Sequence, residues 1–85
     1  MTNPEIIEIP AEEWTKVATG VKNGSVWILD HSTEYLYTTR DTGDPAPTST
    51  EEGGIFEDKD RYIYNTVLID VYLYAKTGGK VAVAL

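Results

Sequence analysis

The chain has 85 residues, of which 14 are acidic and seven are basic, so its formal net charge is −7 and its length allows one hydrophobic core and one domain. The acidic balance predicts no binding to nucleic acid or to anionic membranes, because both depend on lysine and arginine. The chain contains no cysteine, which excludes disulfides, thiolate catalysis and cysteine-ligated metals.

The N-terminal residues 1–10 are predicted to form an arm or edge strand, with the strand itself over residues 5–9. The interface candidates in this segment, as residues that add a strand to a neighbour, are Ile6, Ile7 and Ile9. The segment has no basic start and no long apolar run, so neither a signal peptide nor a transmembrane segment is predicted. Residues 11–85 are expected to form a single β domain.

Two further strands are predicted over residues 14–19 and 25–29. The dipeptide Asn23-Gly24 between them is typical of a type I′ turn, because both central positions of that turn require a positive φ. We therefore expect a hairpin here, with Trp14 and Trp27 in the core or at its edge.

Asp30, His31 and Ser32 are the residue types of a hydrolase triad, but they are neighbours in the chain. A triad converges from separated segments, whereas neighbouring side chains of an extended segment point in opposite directions. The sequence predicts a polar turn in which Asp30 or Ser32 bonds to nearby backbone, followed by a strand over residues 34–39. No catalytic residue and no enzymatic activity are predicted.

Residues 41–54 contain two prolines, three glycines and no large apolar residue, which predicts a long polar loop. The acids Glu57, Asp58 and Asp60 follow as possible calcium ligands, but an EF-hand loop requires a glycine at its sixth position and a glutamate at its twelfth, and both are missing. A solvated acidic loop is favoured, and no metal or cofactor is predicted. Residues 41–60 together carry seven acids and one lysine, and whether this segment only keeps the protein soluble or meets a basic patch stays open.

The C-terminal part predicts strands over residues 62–64, 67–75 and 80–85, with a hairpin at Gly78-Gly79. In the longest of them, alternation predicts a core face made of Val67, Ile69, Val71 and Leu73. The strands together indicate an all-β fold, a small antiparallel β-sandwich or a partly open barrel of about six to eight strands.

The six tyrosines form three Tyr-x-Tyr pairs, each on one face of a predicted strand. These further interface candidates are Tyr35 and Tyr37, Tyr62 and Tyr64, and Tyr72 and Tyr74. Exposed tyrosines suit a protein interface or stacking against sugar rings. The alternative, which stays open, is that the pairs pack across strands inside the fold or along its margin.

The stretch WTKVATGVKNGSVWILDHSTEYLYTTR over residues 14–40, with the proline-containing loop after it, resembles small virion proteins of tailed bacteriophages. Those proteins include head decoration proteins, head fibres and tail-associated β-sandwich modules, and the C-terminal IDVYLYAKTGGKVAVAL is similar to their closing hairpin. The resemblance assigns no residue roles. It implies a non-enzymatic structural protein that is made in the host cytoplasm, resides in the virion and binds the capsid or tail lattice as a symmetric homo-oligomer, with a trimer as the favoured form. The alternative is a carbohydrate-binding or receptor-recognition module.

Overall fold

The computed structural model describes the backbone of residues 4–56 and 60–84, and within it the side chains of residues 4–56 and 67–84. This part of the chain forms six β-strands and one 3₁₀ helix. They are β1 (Glu5–Ile9), β2 (Trp14–Ile28), β3 (Tyr35–Asp41), the 3₁₀ helix (Thr50–Glu52), β4 (Gly54–Ile55), β5 (Asp60–Ala75) and β6 (Gly79–Ala84). The predicted all-β fold is confirmed.

The six strands form one open sheet in the order β1-β6-β2-β5-β3-β4, and every neighbouring pair is antiparallel. β1 and β4 are therefore the two edges. The segment after β1 turns back towards β5, where Ala11 forms an isolated parallel bridge with Ala75. The amide of Glu12 donates to the Ala75 carbonyl at 2.9 Å, so the segment between β1 and β2 is held against the end of β5.

The two central strands are too long to be straight. β2 has 15 residues and β5 has 16, and extended strands of that length reach about 50 Å. The longest dimension of the molecule is only 31 Å. Both strands must therefore bend, and the bent sheet encloses the core on its inner face.

The bend in β2 lies around Gly20, which has a φ of +62°. The pairing of β2 with β5 shifts register three times between Lys16 and Asn23. Such bulges curve a strand without reversing it. The hairpin predicted at Asn23-Gly24 is wrong for this reason: both residues stay in β2, paired with Tyr64 and Ile63.

The predicted strands over residues 62–64 and 67–75 are likewise one strand, β5. Between the pairs Val21–Ile69 and Asn23–Tyr64, β5 has more residues than β2, and the surplus includes Val67 and Leu68. These two side chains are each 50% exposed. Val67 was predicted to belong to the core face and does not, because the irregular register turns it outwards.

The core combines inward-facing side chains from both halves of the bent sheet. It contains Ile9, Val17, Ala18, Val21, Val26, Ile28, Tyr35, Phe56, Ile69, Val71, Leu73, Ala75, Val81 and Val83. Val17 and Ala18 are adjacent in sequence and both buried, which strict alternation forbids. The register shift between Lys16 and Ala18 accounts for this.

Tyr35 connects the beginning of β3 to the beginning of β6. Its hydroxyl donates to the Asp30 carbonyl at 2.7 Å and accepts from the Lys80 amide at 3.1 Å, and burial raises its pKa. The Tyr35 ring also lies directly against Gly79, where a Cβ atom would collide with the hydroxyl. Gly79 is thus required by packing. The chain turns at Gly78-Gly79 as predicted, but the predicted hairpin is wrong, because β5 and β6 do not pair and β2 lies between them.

Candidate functional site

The outer face of the sheet has two halves. The loop between β3 and β4 covers one of them, and no described part of the chain covers the other. Residues opposite one another in neighbouring strands share a face. The pairs Trp14–Tyr74 and Lys16–Tyr72, with Asp70 on the same side of β5, form the covered face. The open face, on β1, β6 and the second half of β2, consists of Ile6, Ser25, Trp27, Ala82 and Ala84.

The loop between β3 and β4 lies over the covered face. The indole Nε1 of Trp14 donates to the Ser49 carbonyl at 3.1 Å, and Gly53 sits so close to the Trp14 ring that a Cβ atom there would clash. Pro47 is the buried residue of the loop. The polar segment predicted from composition is therefore ordered by its contact with the sheet.

The 3₁₀ helix of this loop has a complete capping box. Ser49 accepts from the Glu51 amide at 3.1 Å, and the Glu52 carboxylate accepts from the amides of Thr48 and Ser49 at 2.7 Å each. Arg40 of β3 donates to the other oxygen of Glu52 at 3.0 Å. The backbone hydrogen bond from Thr48, foremost among these contacts, lowers the pKa of Glu52.

Asp70 is the buried charge of the covered face, with 2% of its surface exposed. Its carboxylate accepts from the Gly20 amide at 2.8 Å and from the Thr42 hydroxyl at 3.1 Å, and it faces the Lys16 ammonium at 3.4 Å. The hydrogen bond from Gly20 is the main cause that lowers the Asp70 pKa. Asp70 thus connects the bend of β2 to the start of the loop. Its role is structural, because its carboxylate is engaged by Gly20, Thr42 and Lys16.

The open face has no such cover within the described part of the chain. Ile6, Ala82 and Trp27 lie in one cross-strand row, in which the buried Ala82 separates the two large apolar side chains. Ile6 is 63% exposed and Trp27 is half-buried. A row of apolar groups beside small residues is the composition of a protein contact surface.

The two edges of the sheet also differ. β4 has only two residues, so it presents almost no backbone for another strand to pair with. β1 has five residues, and Pro4 and Pro10 flank it. Among the described strands only β6 pairs with β1, so the outer side of β1 is a strand-pairing surface limited to five residues.

The structure separates the predicted interface residues into three groups. Ile9, Tyr35 and Tyr72 are buried by the chain itself and have no surface left for a partner, so they are corrected to structural residues. Ile7, Tyr37 and Tyr74 are half-buried: the first two pack against the core, where the Tyr37 ring meets Phe56 edge to face, and the Tyr74 ring lies 5.5 Å from Trp14. Ile6 is exposed, and Tyr62 and Tyr64 have side chains outside the described residues.

The polar turn predicted at Asp30, His31 and Ser32 is confirmed. The Asp30 carboxylate accepts from the Ser32 amide at 3.0 Å and from the Ser32 hydroxyl at 2.6 Å, and these hydrogen bonds lower the Asp30 pKa. The Ser32 hydroxyl thus donates its hydrogen bond directly to Asp30, and the exposed His31 does not lie between the two side chains. Glu57, Asp58 and Asp60, predicted as a solvated acidic loop, have side chains outside the described residues.

A cleft of about 360 Å³ opens beside the covered face, at the end of β5. It is lined by Glu12, Glu34, Leu36, Thr50, Tyr74 and Lys76. Among the residues whose side chains are described, no group of three or more acidic, histidine or cysteine side chains is placed to hold a metal ion.

Sequence reasoning missed both the open face and this cleft. The alternation Ser25, Trp27 and the alternation Ala82, Ala84 were visible, but only the register of β6 between β1 and β2 brings them beside Ile6. The cleft joins four separate segments, and no spacing in the sequence signals that arrangement.

No described helix has the length and hydropathy needed to cross a bilayer. Comparison of the chain with family models, with curated proteins and with solved structures finds no match.

Proposed function

We propose that this chain is a structural protein of a tailed-bacteriophage virion, a capsid decoration protein or an accessory component of the head or tail, which acts by protein–protein assembly. Its partners are further copies of itself, as a symmetric homo-oligomer with a trimer favoured, and the proteins of the capsid or tail lattice. The resemblance of the sequence motivates the virion assignment, and the open face supports the assembly role.

The observation that carries the assembly role is the position of Ile6. An isoleucine that is 63% exposed on the edge strand, continuous with Ala82 and Trp27, is a costly group to leave in water. Full burial of an exposed isoleucine contributes about 1.5 to 3 kcal/mol, and covering Ile6, which is 63% exposed, contributes the corresponding part of that. A strand added along β1 supplies backbone hydrogen bonds at the same time as it covers Ile6.

The opposite edge provides a matched control. Ile55 on β4 is also an exposed isoleucine, at 58%, but it stands on a strand of two residues with little backbone to pair. The variants Ile6→Lys and Ile55→Lys therefore make the same chemical change at two edges of the sheet. Ile6→Lys alters the β1 edge, which is proposed to assemble, and Ile55→Lys alters the β4 edge, which is not.

The native mass of the purified chain tests the proposal, measured by sedimentation equilibrium and native mass spectrometry. We expect the wild-type chain to form a closed oligomer, Ile6→Lys to weaken its association at least tenfold, and Ile55→Lys to leave it unchanged. In phage particles, Ile6→Lys is expected to lower the copy number of the protein.

Two results contradict the proposal. One is a chain that stays monomeric at all concentrations and whose deletion leaves the phage particle unchanged in composition and stability. The other is equal weakening by both variants, which would indicate a general effect of added charge and no specific role for the β1 edge.

A further inference from the structure

The cleft at the end of β5 combines an aromatic wall with several polar groups. Tyr74 and Leu36, opposite one another on β5 and β3, form its apolar wall. Glu12, Glu34, Thr50 and Lys76 provide its polar groups. Its volume of about 360 Å³ lies at the lower end of the range for small-ligand sites, about 300 to 1,000 Å³.

The walls of the cleft are held in place by backbone hydrogen bonds. The Glu12 amide donates to Ala75 at 2.9 Å, and the Lys76 amide donates to the Glu34 carbonyl at 3.0 Å. Glu12 has a φ of +56°, a conformation that is uncommon for a residue with a side chain and that the bond to Ala75 maintains. These contacts fix the backbone of three of the polar residues, so that a ligand has to order only their side chains.

The fourth polar residue, Thr50, is held in place by contacts of the loop between β3 and β4. Thr50 begins the capped 3₁₀ helix, and the preceding Ser49 carbonyl accepts from Trp14, whose ring lies against Tyr74. Within the described part of the chain, no hydrogen bond or ion pair engages the carboxylates of Glu12 and Glu34 or the Lys76 ammonium. These three charged groups are available to a ligand.

The cleft carries charges of both signs, two carboxylates and one ammonium, and so offers hydrogen-bond acceptors and donors together. A basic ligand meets the Lys76 ammonium, and an acidic ligand meets the carboxylates of Glu12 and Glu34. A neutral ligand that both donates and accepts hydrogen bonds uses all three groups without repulsion. A sugar ring has hydroxyl groups that do both, together with an apolar C–H face that packs on a tyrosine ring.

We propose that this cleft is a binding site for a single neutral sugar ring, in which Tyr74 and Leu36 contact the apolar face of the ring and Glu12, Glu34 and Lys76 bind its hydroxyl groups. This site is separate from the open face. It does not depend on the assembly role of the protein.

Titration of the ¹⁵N-labelled full chain, followed by NMR, tests this assignment. The probes are the methyl glycosides of glucose, galactose and mannose and N-acetylglucosamine, each up to about 100 mM, a range that detects millimolar dissociation constants. We expect at least one sugar to cause saturable shifts confined to the amides around residues 12, 34–36, 50 and 74–76. Glycerol, which has hydroxyl groups but no ring face, and N-acetylarginine amide are the negative controls.

Two variants separate binding from folding. Tyr74→Leu removes the ring and is expected to weaken sugar binding at least tenfold, whereas Tyr74→Phe keeps the ring and retains most of it. Glu34→Gln, on the exposed rim, should weaken binding several-fold without disturbing the fold, and Glu5→Gln makes the same charge change away from the cleft and should have no effect.

The proposal is overturned if no sugar gives saturable shifts, or if Glu34→Gln and Tyr74→Leu bind as the wild type does. It is also overturned if N-acetylarginine amide alone binds and salt weakens that binding, because the cleft would then accept a basic side chain.

Discussion

At the scale of single residues, Asp70 shows what could be predicted from the sequence and what could not. Alternation along 67–75 places Asp70 on the outer face beside Tyr72 and Tyr74, and the structure agrees. Its burial could not be predicted, because it depends on a loop that begins at Thr42 and on a bend at Gly20. Both are distant in sequence, and alternation describes only one strand.

Asp70→Asn tests the role of this carboxylate. The folded state lowers the Asp70 pKa, so the ionised group stabilises the fold above its ordinary pKa of about 3.8, and this stabilisation is lost as the pH falls below that value. We expect the free energy of unfolding of the variant to be about 2 kcal/mol lower at pH 7 than that of the wild type. It should also decline less between pH 5 and pH 3. Urea unfolding over that pH range measures both.

The control for Asp70 is Asp44→Asn, which changes an exposed acid of the loop. Its free energy of unfolding at pH 7 should match that of the wild type within about 0.5 kcal/mol. An Asp70→Asn variant with wild-type stability at pH 7 would contradict the role assigned to the carboxylate.

A second residue-scale prediction concerns the Tyr35 hydroxyl. Tyr35→Phe leaves the Asp30 carbonyl and the Lys80 amide without their partner, and we expect a loss of about 1 to 3 kcal/mol. Tyr74→Phe, at a half-buried tyrosine of the same sheet, should cost less than about 0.5 kcal/mol. Thermal unfolding of the two variants side by side decides whether the hydroxyl connects β3 and β6 as described.

At the scale of elements, three of the short strands were predicted well, whereas the two-residue β4 and the two long strands were not. β1, β3 and β6 lie where the apolar alternation and the flanking turn residues indicated. β2 was divided because Asn23-Gly24 is typical of a type I′ turn, and β5 was divided where alternation is interrupted between residues 64 and 67. A bulge interrupts alternation in the same way, and only the partner strand distinguishes the two.

Gly20→Ala tests the bend in β2. Gly20 has a φ of +62°, a conformation that costs a residue with a side chain about 1 to 2 kcal/mol. A Cβ atom at this position would have its nearest neighbour 3.8 Å away. The expected loss of about 1 to 2 kcal/mol in unfolding free energy therefore reflects backbone conformation and not a clash.

Gly54→Ala on β4 is the matched control for Gly20→Ala, since its Cβ atom would meet nothing within 4 Å and its φ is not in the left-handed range. We expect denaturation curves of Gly54→Ala to coincide with those of the wild type within about 0.5 kcal/mol. Equal stability of Gly20→Ala and Gly54→Ala would argue against a bend that requires glycine.

At the scale of the whole molecule, β6 is the strand that connects several other parts of the fold. It lies between β1 and β2, contributes Val81 and Val83 to the core and binds the Tyr35 hydroxyl through the Lys80 amide. The turn at Gly78-Gly79 was predictable, although the predicted hairpin is wrong because β5 does not pair with β6, and the alternation after the turn also predicted β6. Its position between the first two strands was not, because the sequence does not specify which strands are neighbours.

A chain that ends at residue 78 is therefore expected to lose cooperative unfolding, as measured by circular dichroism in urea. Adding a synthetic peptide of residues 79–85, GKVAVAL, should restore a cooperative transition, since the missing strand is one continuous segment. A truncated chain that unfolds cooperatively without the peptide would show that β6 is dispensable.

The strand order has a further consequence for how the protein folds. β1 pairs with β6, β2 pairs with β5 and β6, and β3 pairs with β5 as well as with the two-residue β4. Nearly every pairing thus joins one of the first three strands to β5 or β6, much later in the sequence. The apolar residues of β2 stay unpaired until these strands reach them, and folding waits for closures across long sequence separations, which are slow.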